Sequence, residues 1–249
     1  GGGAAARPSH VLRGHSGRIT CLGFSADGHL VATGSTDRTA RVWAVRTGEC
    51  VSVLQGHGGI VPSLSVAAVP EADGLAATAC GDGRCRLWRL RAAGSCWQEM
   101  EGWSEGGANL CRFAPSGGNP ASPLLATCHI DFDRKEGRVL LWDTAEGGEN
   151  WADGKLLGPC RQIDGFRGKV ESLDFTADAA GNLVLACASA DGTVKVVDVG
   201  SGSALFEIPG PHQSSEGPAP VTHAAFSPCG KMLATAGGDK TVKVWDAED

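Results

Sequence analysis

The residues best suited to chemistry in this chain are threonine, histidine and aspartate, and they recur at fixed spacing. From Thr to Asp is four residues and from Asp to Trp six in Thr33, Asp37 and Trp43, in Thr78, Asp82 and Trp88, and in Thr235, Asp239 and Trp245. His15 and His57 precede the first two sets. A hydroxyl, an imidazole and a carboxylate brought together are the parts of a hydrolase triad. The recurrence argues against that chemistry, because catalysis does not need several equivalent copies in one chain. No phosphate-cradling Gly-rich loop, His-Glu-x-x-His pattern or paired catalytic carboxylates accompany them. The ten cysteines (21, 50, 80, 85, 96, 111, 128, 160, 187 and 229) include no Cys-x-x-Cys pair. Cys21, Cys80, Cys128 and Cys187 fall in apolar stretches, as expected of reduced core thiols in an intracellular protein. No catalytic residue, metal site or cofactor is expected.

The elements that carry these residues form a repeat. Leu30 to Trp43 returns as Leu75 to Trp88, Leu124 to Trp142, Leu183 to Val197 and Met232 to Trp245. The repeat ends lie 45, 54, 55 and 48 residues apart. These intervals match or moderately exceed the roughly 40–45 residues of a four-stranded propeller blade. Thr241 to Trp245 alternates apolar valines with Thr, Lys and Trp, the period of a pleated strand, as do Thr39 to Trp43 and Thr193 to Val197. Asp27-Gly28, Asp82-Gly83 and Asp191-Gly192 are turn signals. With no long helical periodicity, the pattern predicts five units of four strands, about 20 strands in all.

Composition fits that reading and excludes other classes. With 42% apolar and 20% charged residues, the 249-residue chain is an ordinary globular sequence. Its net charge of −6 argues against a nucleic-acid surface. No apolar run approaches the roughly 20 residues that span a bilayer, and no signal-peptide pattern appears, so a soluble, cytoplasmic protein is expected. The 37 glycines suit a fold rich in tight turns. Abundant Gly, Ala, Arg and Pro with no Tyr point to a GC-rich genome. Residues 1–8, opening on Gly1 without Met, read as a flexible or artificial end, or as the edge of an excerpt, with the folded domain in 9–249.

Several motifs carry a resemblance. Gly14-His15 and Gly56-His57, Trp142-Asp143 and Trp245-Asp246, and the turns Phe24 to Gly28 and Phe226 to Gly230 recur in register. From about His10 onward the chain resembles the WD40-repeat family. The resemblance implies an all-β, WD40-type β-propeller with five recognisable four-stranded blades ending near 43, 88, 142, 197 and 245. Such blades form either a small closed ring or part of a larger, incomplete one, and the incomplete ring is favoured. The family offset between repeat and blade makes Ser9 to Arg13 the outer strand of the blade ending at Trp245, which would seal the ring.

The resemblance also assigns roles. His15, Thr33, Asp37 and Trp43 match the family's structural tetrad, as do His57, Thr78, Asp82 and Trp88. Thr127, Asp131 and Trp142 match with Trp eleven positions after Asp. Thr235, Asp239 and Trp245 match with His212 displaced by a longer loop, and Asp191 is all that the fourth unit keeps. The third and fourth units depart further, with Gly102-Trp103 and Gly165-Phe166 in place of Gly-His and Val197-Asp198 in place of Trp-Asp. Longer loops are expected at Phe132 to Gly137, Ala145 to Gly158 and His212 to Pro220. A relay from Trp through hydroxyl and imidazole to Asp would satisfy every buried polar group.

Family members commonly bind proteins or peptides on the rim that carries the Gly-His loops. Here that implies Arg18, Thr36, Gly81, Ile130, Lys169, Ala190 and Gly238, with Trp97, Trp103 and Trp151 as candidate anchors. The implied function is a non-catalytic protein–protein interaction scaffold within a larger intracellular assembly, joined by further blades from the same or another chain. Neither nucleic acid nor a membrane is expected as a partner. A narrower alternative is a cullin-ring ubiquitin ligase receptor, since Arg46 and Arg91 follow Trp43 and Trp88 by three, although Ala44 and Arg89 replace that motif's Asp. A propeller enzyme with a central-channel site is the remaining alternative.

Overall fold

Short runs of β-branched and small residues between Gly- and Asp-rich turns leave the chain one inexpensive way to satisfy its backbone, the antiparallel hairpin. The computed structural model describes residues 8–67, 74–90, 96–101, 106–115, 123–144, 159–178, 180–215 and 217–247. Every regular element among them is a strand. The first blade holds β1 (Ile19–Phe24), β2 (Leu30–Ser35), β3 (Ala40–Ala44) and β4 (Cys50–Leu54). The second holds β5 (Ser63–Val66), β6 (Leu75–Ala79), β7 (Arg84–Arg89) and β8 (Cys96–Glu101). The third holds β9 (Gly106–Phe113), β10 (Leu124–Asp131), β11 (Glu136–Asp143) and β12 (Arg161–Phe166). The fourth holds β13 (Val170–Ala177), β14 (Leu183–Ser189), β15 (Thr193–Asp198) and β16 (Ala204–Pro209). A two-residue hairpin, β17 (Gln213–Ser214) with β18 (Gly217–Pro218), precedes the fifth blade of β19 (Val221–Phe226), β20 (Met232–Gly237) and β21 (Val242–Asp246).

Each blade is a meander whose strands pair in chain order. The turns work as the sequence predicts: Gly28, Gly83 and Gly192 take φ of 69°, 84° and 88°, a left-handed region that a side chain at each would strain. The first strands of consecutive blades pack on one another, β1 on β5, β5 on β9, β9 on β13 and β13 on β19. Polar groups stitch these junctions, with Asn109 Nδ2 donating to Val170 O at 2.8 Å and Phe226 N to Asp174 Oδ2 at 2.8 Å. The core is correspondingly divided. One buried apolar cluster fills each of the four junctions between the five blades.

Two expectations need correction, and of the two ring alternatives the favoured one is found. The fifth blade has three strands among the described residues, so β21 pairs only with β20. Ser9 to Arg13 does not extend that blade; it forms no strand, and the His10 ring hydrogen-bonds Arg46 O at 3.1 Å beside Gly48 of the first blade. The ring is not closed, which removes the small closed propeller and leaves the incomplete one. The reason is local: the glycine turn between β3 and β4 gives the N-terminal segment a seat on its own blade.

Insertions also behave differently from plain loops. Phe132 to Gly137 lengthens the β10–β11 ladder, which runs out to the pair Asp131↔Glu136. His212 to Pro220 folds into the β17–β18 hairpin. Residues 145–158 lie outside the described residues.

Candidate functional site

In the first blade the tetrad residues meet. The Trp43 indole N–H donates to Thr33 Oγ1 at 2.9 Å. Thr33 Oγ1 lies 2.8 Å from His15 Nε2, and His15 Nδ1 lies 2.8 Å from Asp37 Oδ2. A carboxylate only accepts, so Nδ1 carries the proton and Nε2 accepts from the threonine hydroxyl. Asp37 also accepts from Ser16 N, Thr39 N and Thr39 Oγ1 at 2.7–2.9 Å. Burial raises the Asp37 pKa, but the hydrogen bonds from Thr39, His15 and Ser16 outweigh it and hold the carboxyl well below its ordinary range. Thr33 is 5% exposed, and its hydroxyl is committed on both sides, to the Trp43 indole and the His15 imidazole. The arrangement satisfies each buried polar group it contains.

The fifth blade repeats this geometry. Trp245 Nε1 donates to Thr235 Oγ1 at 2.9 Å, with His212 Nε2 2.9 Å from that oxygen and His212 Nδ1 2.7 Å from Asp239 Oδ1. The long loop therefore begins after His212 and does not displace its imidazole. Burial opposes ionisation of Asp239, yet bonds from Thr241 and His212 lower its pKa to about 2.

The second blade departs at the carboxylate. Trp88 donates to Thr78, and His57 Nε2 lies 2.9 Å from the same oxygen. Asp82 turns instead to the buried Arg86, 3.0 Å away, which also donates to Glu99 Oε1 at 2.8 Å. Among the described residues His57 Nδ1 finds no hydrogen-bond partner, and burial together with Arg86 pushes the His57 pKa down to about 4. Arg86 stands four residues after Asp82, where Arg41, Lys195 and Lys243 stand after their aspartates, so the signal was present in the repeat.

The third blade takes its imidazole from a strand. Trp142 donates to Thr127 Oγ1 at 2.7 Å, and the partner of that oxygen is His129 Nε2 at 2.9 Å. Thr127 and His129 are two apart on β10 and so share a face. That Thr-x-His spacing was the overlooked signal. Asp131, still in the strand, accepts from Asp133 N and Arg134 N and does not join the relay. His129 is buried with Nδ1 unpartnered among the described residues, and burial together with Arg138 lowers its pKa to about 4.

The fourth blade has replaced the relay with apolar packing. Phe166, Cys187 and Val197 occupy the His, Thr and Trp positions and lie buried in one cluster. Asp191 keeps its other task, accepting from Arg167 N, Thr193 N and Thr193 Oγ1 at 2.6–2.8 Å. Lys195 Nζ sits 4.9 Å from the centre of the Phe166 ring.

The rim residues are drawn together by one recurrent backbone bond. Thr36 N donates to Arg18 O, Gly81 N to Ile60 O, Ala190 N to Lys169 O and Gly238 N to Pro220 O, all at 2.8–2.9 Å. Each bond ties the loop entering a blade to the turn after its second strand. Arg18, Gly81 and Gly238 are exposed, Ala190 and Ile130 are half-buried, and Lys169 pairs with Glu171 at 2.8 Å. Two exposed rim residues were not anticipated, Ile60 beside Gly81 and Phe132 over Gly107. Trp103 and Trp151, the Trp97 side chain and Arg91 lie outside the described residues. Among the described residues no cluster of His, Cys, Asp or Glu could hold a metal, and no helix is long and apolar enough to cross a membrane.

Comparison with known proteins agrees with this architecture. The WD40 family model (WD domain, G-beta repeat) matches residues 6–44, 48–89, 158–198 and 210–246. The chain is similar to Mitochondrial division protein 1 of Neurospora crassa, 28% identical over 77% of this chain and 34% of that protein. It is also similar to WD repeat-containing protein 37 of Xenopus laevis, 23% identical over 88% of this chain and 37% of that protein. Nuclear distribution protein PAC1 of Gibberella zeae is 28% identical over 57% of this chain and 30% of that protein. The chain thus spans about a third of the length of these curated relatives.

Proposed function

The chain belongs to the WD40-repeat family, and on that premise we propose that it is a non-catalytic scaffold holding protein or peptide partners on its rim. One observation carries the reading: in the first and fifth blades the hydroxyl, imidazole and carboxylate groups that could do chemistry are spent on one another, while the loops outside them are tied down by backbone bonds. In the first blade Thr33 is occupied by Trp43 and His15. Just outside, Arg18 is held to Thr36 by reciprocal bonds, its N–H to Thr36 Oγ1 and its carbonyl from Thr36 N. Loops fixed to a rigid frame lose little entropy on binding, which favours recognition. The relatives named above are themselves WD-repeat proteins whose names speak of division and nuclear distribution, consistent with a part in a larger assembly. A cytoplasmic location and further blades completing the ring belong to the same proposal.

The test is site-specific photo-crosslinking in the native cell. A photoreactive residue at position 18 or 169, on the rim, should capture a discrete protein that the same residue at position 46, at the opposite end of the first blade, does not. Capture from position 46 with none from the rim would overturn the reading.

A further inference from the structure

At the rim of the second and third blades two bulky apolar side chains stand in solvent, Ile60 at 47% and Phe132 at 61% exposed. Two glycines lie between them. A Cβ at Gly81 would begin 3.5 Å from Ile60 Cγ1, and one at Gly107 would begin 3.0 Å from the Phe132 ring and 4.0 Å from Gly81 O. Gly81 is exposed, so Ile60 and Phe132 flank a floor of bare backbone. In the first and fourth blades Thr36 and Ala190 stand where Gly81 does, and each brings a side chain to that place. The floor is held from below, with Gly81 N donating to Ile60 O at 2.9 Å and Ala108 N to Cys80 O at 3.0 Å. An exposed apolar pair on a fixed frame marks an association site.

The charge beside this notch indicates what it accepts. The chain carries a net charge of −6, yet the side of the notch toward the first blade is basic. Val61 N donates to Ser35 O at 3.2 Å and Thr36 N to Arg18 O at 2.9 Å, which brings the Arg18 loop and the Arg38 turn next to Ile60. Both arginines are exposed, and neither makes an ion pair among the described residues. Asp37, between Thr36 and Arg38, is turned inward to His15, Ser16 and Thr39. Arg38 takes a left-handed φ of 65° where the second and fourth blades place Gly83 and Gly192. Glycine would adopt that conformation without strain, so the guanidinium is held there at a cost, as strained residues at functional sites are. On the Phe132 side Arg134 and Lys135 are offset by the exposed Asp133 and Glu136, so the basic excess lies toward Arg18 and Arg38.

We propose that this notch is where a partner docks and that its occupant is an extended acidic peptide segment. One bulky apolar side chain of the segment sits between Ile60 and Phe132 over Gly81, and its neighbouring carboxylates meet Arg18 and Arg38. The apolar contact anchors the segment, and the arginines reject a basic one. The proposal rests on the rim reading and narrows it to one place and one chemistry.

Selection of a phage-displayed random peptide library on the whole chain tests this. Enriched peptides should carry a large apolar residue beside Asp or Glu. Their binding, read by fluorescence polarisation, should be lost in Gly81→Leu, whose side chain fills the floor from a position in ordinary contact with Ile60. Should circular dichroism show that variant misfolded, Phe132→Ser at an exposed position removes one wall and should have the same effect. Arg18→Glu combined with Arg38→Glu should weaken binding about tenfold at low salt and less at high salt. Peptides that bind these variants as they bind the wild type would overturn the notch. Photo-crosslinking of those peptides from position 169 would then leave the rim reading standing, whereas crosslinking from position 46 alone would remove it too. A library that yields basic peptides or none, or a single-stranded oligonucleotide that binds the wild type and not the double arginine variant, would also overturn the proposal.

Discussion

The first and fourth blades have the same strands, register and turn aspartate, yet their centres are chemically opposite. In the first, Trp43, Thr33, His15 and Asp37 form a continuous polar relay. In the fourth, Phe166, Cys187 and Val197 fill the same places with apolar contact. The difference separates two functions of the aspartate. Asp37 both closes its turn through Thr39 and orients an imidazole, while Asp191 closes its turn through Thr193 and holds Arg167 N, with no imidazole to orient. The turn is therefore a requirement of the blade, and the relay is one of two ways to fill its centre. A satisfied polar network and its complete apolar replacement are both stable states, whereas a half-dismantled network is not.

The largest effect that sharpens this comparison comes from aromatic volume. Trp142→Ala should cost about 3–5 kcal/mol, against roughly 2 for Val197→Ala in the apolar blade, by denaturant unfolding. Acid should distinguish the blades next. His57 and His129 have folded pKa values lowered from 6.5 to about 4. The unfolded state therefore binds more protons between those values, so stability is full above about pH 6.5 and falls as pH drops toward 4. Between about pH 7 and 5 each histidine should account for about 2 kcal/mol. His129→Leu should flatten the dependence of melting temperature on pH; an equally steep profile would contradict the assignment. The blade with Phe166 offers no such group.

A smaller contrast follows from single hydroxyl removal. Thr33→Val strands the Trp43 N–H and should cost about 1–3 kcal/mol, while Cys187→Val should cost about 1 kcal/mol or less. The least perturbing probe is thiol labelling. Burial raises the Cys111 pKa to about 12 and lifts Cys187 as well, so both should resist a thiol reagent in the native state. Cys50, Cys160 and Cys229 are exposed and should react first, and mass spectrometry of the labelled peptides checks the order.

Much of this was legible in the sequence, for physical reasons that also mark its limits. Period-two alternation and Asp-Gly turns are local signals, so the blades and their number could be read directly. The first tetrad was legible because its members keep fixed spacing. His129 was missed because the expected imidazole was sought in a loop, whereas β10 runs past Thr127 and supplies its own. Arg86 was missed because its spacing from Asp82 is shared by every blade with a basic residue there, and nothing in that spacing shows that Glu99, whose Oε1 lies 2.8 Å from Arg86 Nε, also engages the guanidinium.

 The incomplete ring favoured from the sequence is the arrangement found, but the seat of the N-terminal segment was not foreseen. The repeat pattern is the same for a closed or an open arc. Residues 9–13 lie against the first blade, where the His10 ring contacts Arg46 O and Gly48. Exposed Val242 and Leu22 look, in sequence, like any of their buried equivalents.

The most direct test of the structural relay is a double-mutant cycle in the first blade, with Thr33→Val, Trp43→Phe and both together, read by equilibrium unfolding. If the Trp43 N–H and the Thr33 hydroxyl act as one unit, the two changes will be strongly non-additive, with a coupling of about 1 kcal/mol or more. Additivity within roughly 0.3 kcal/mol would contradict the relay as a source of the blade's stability.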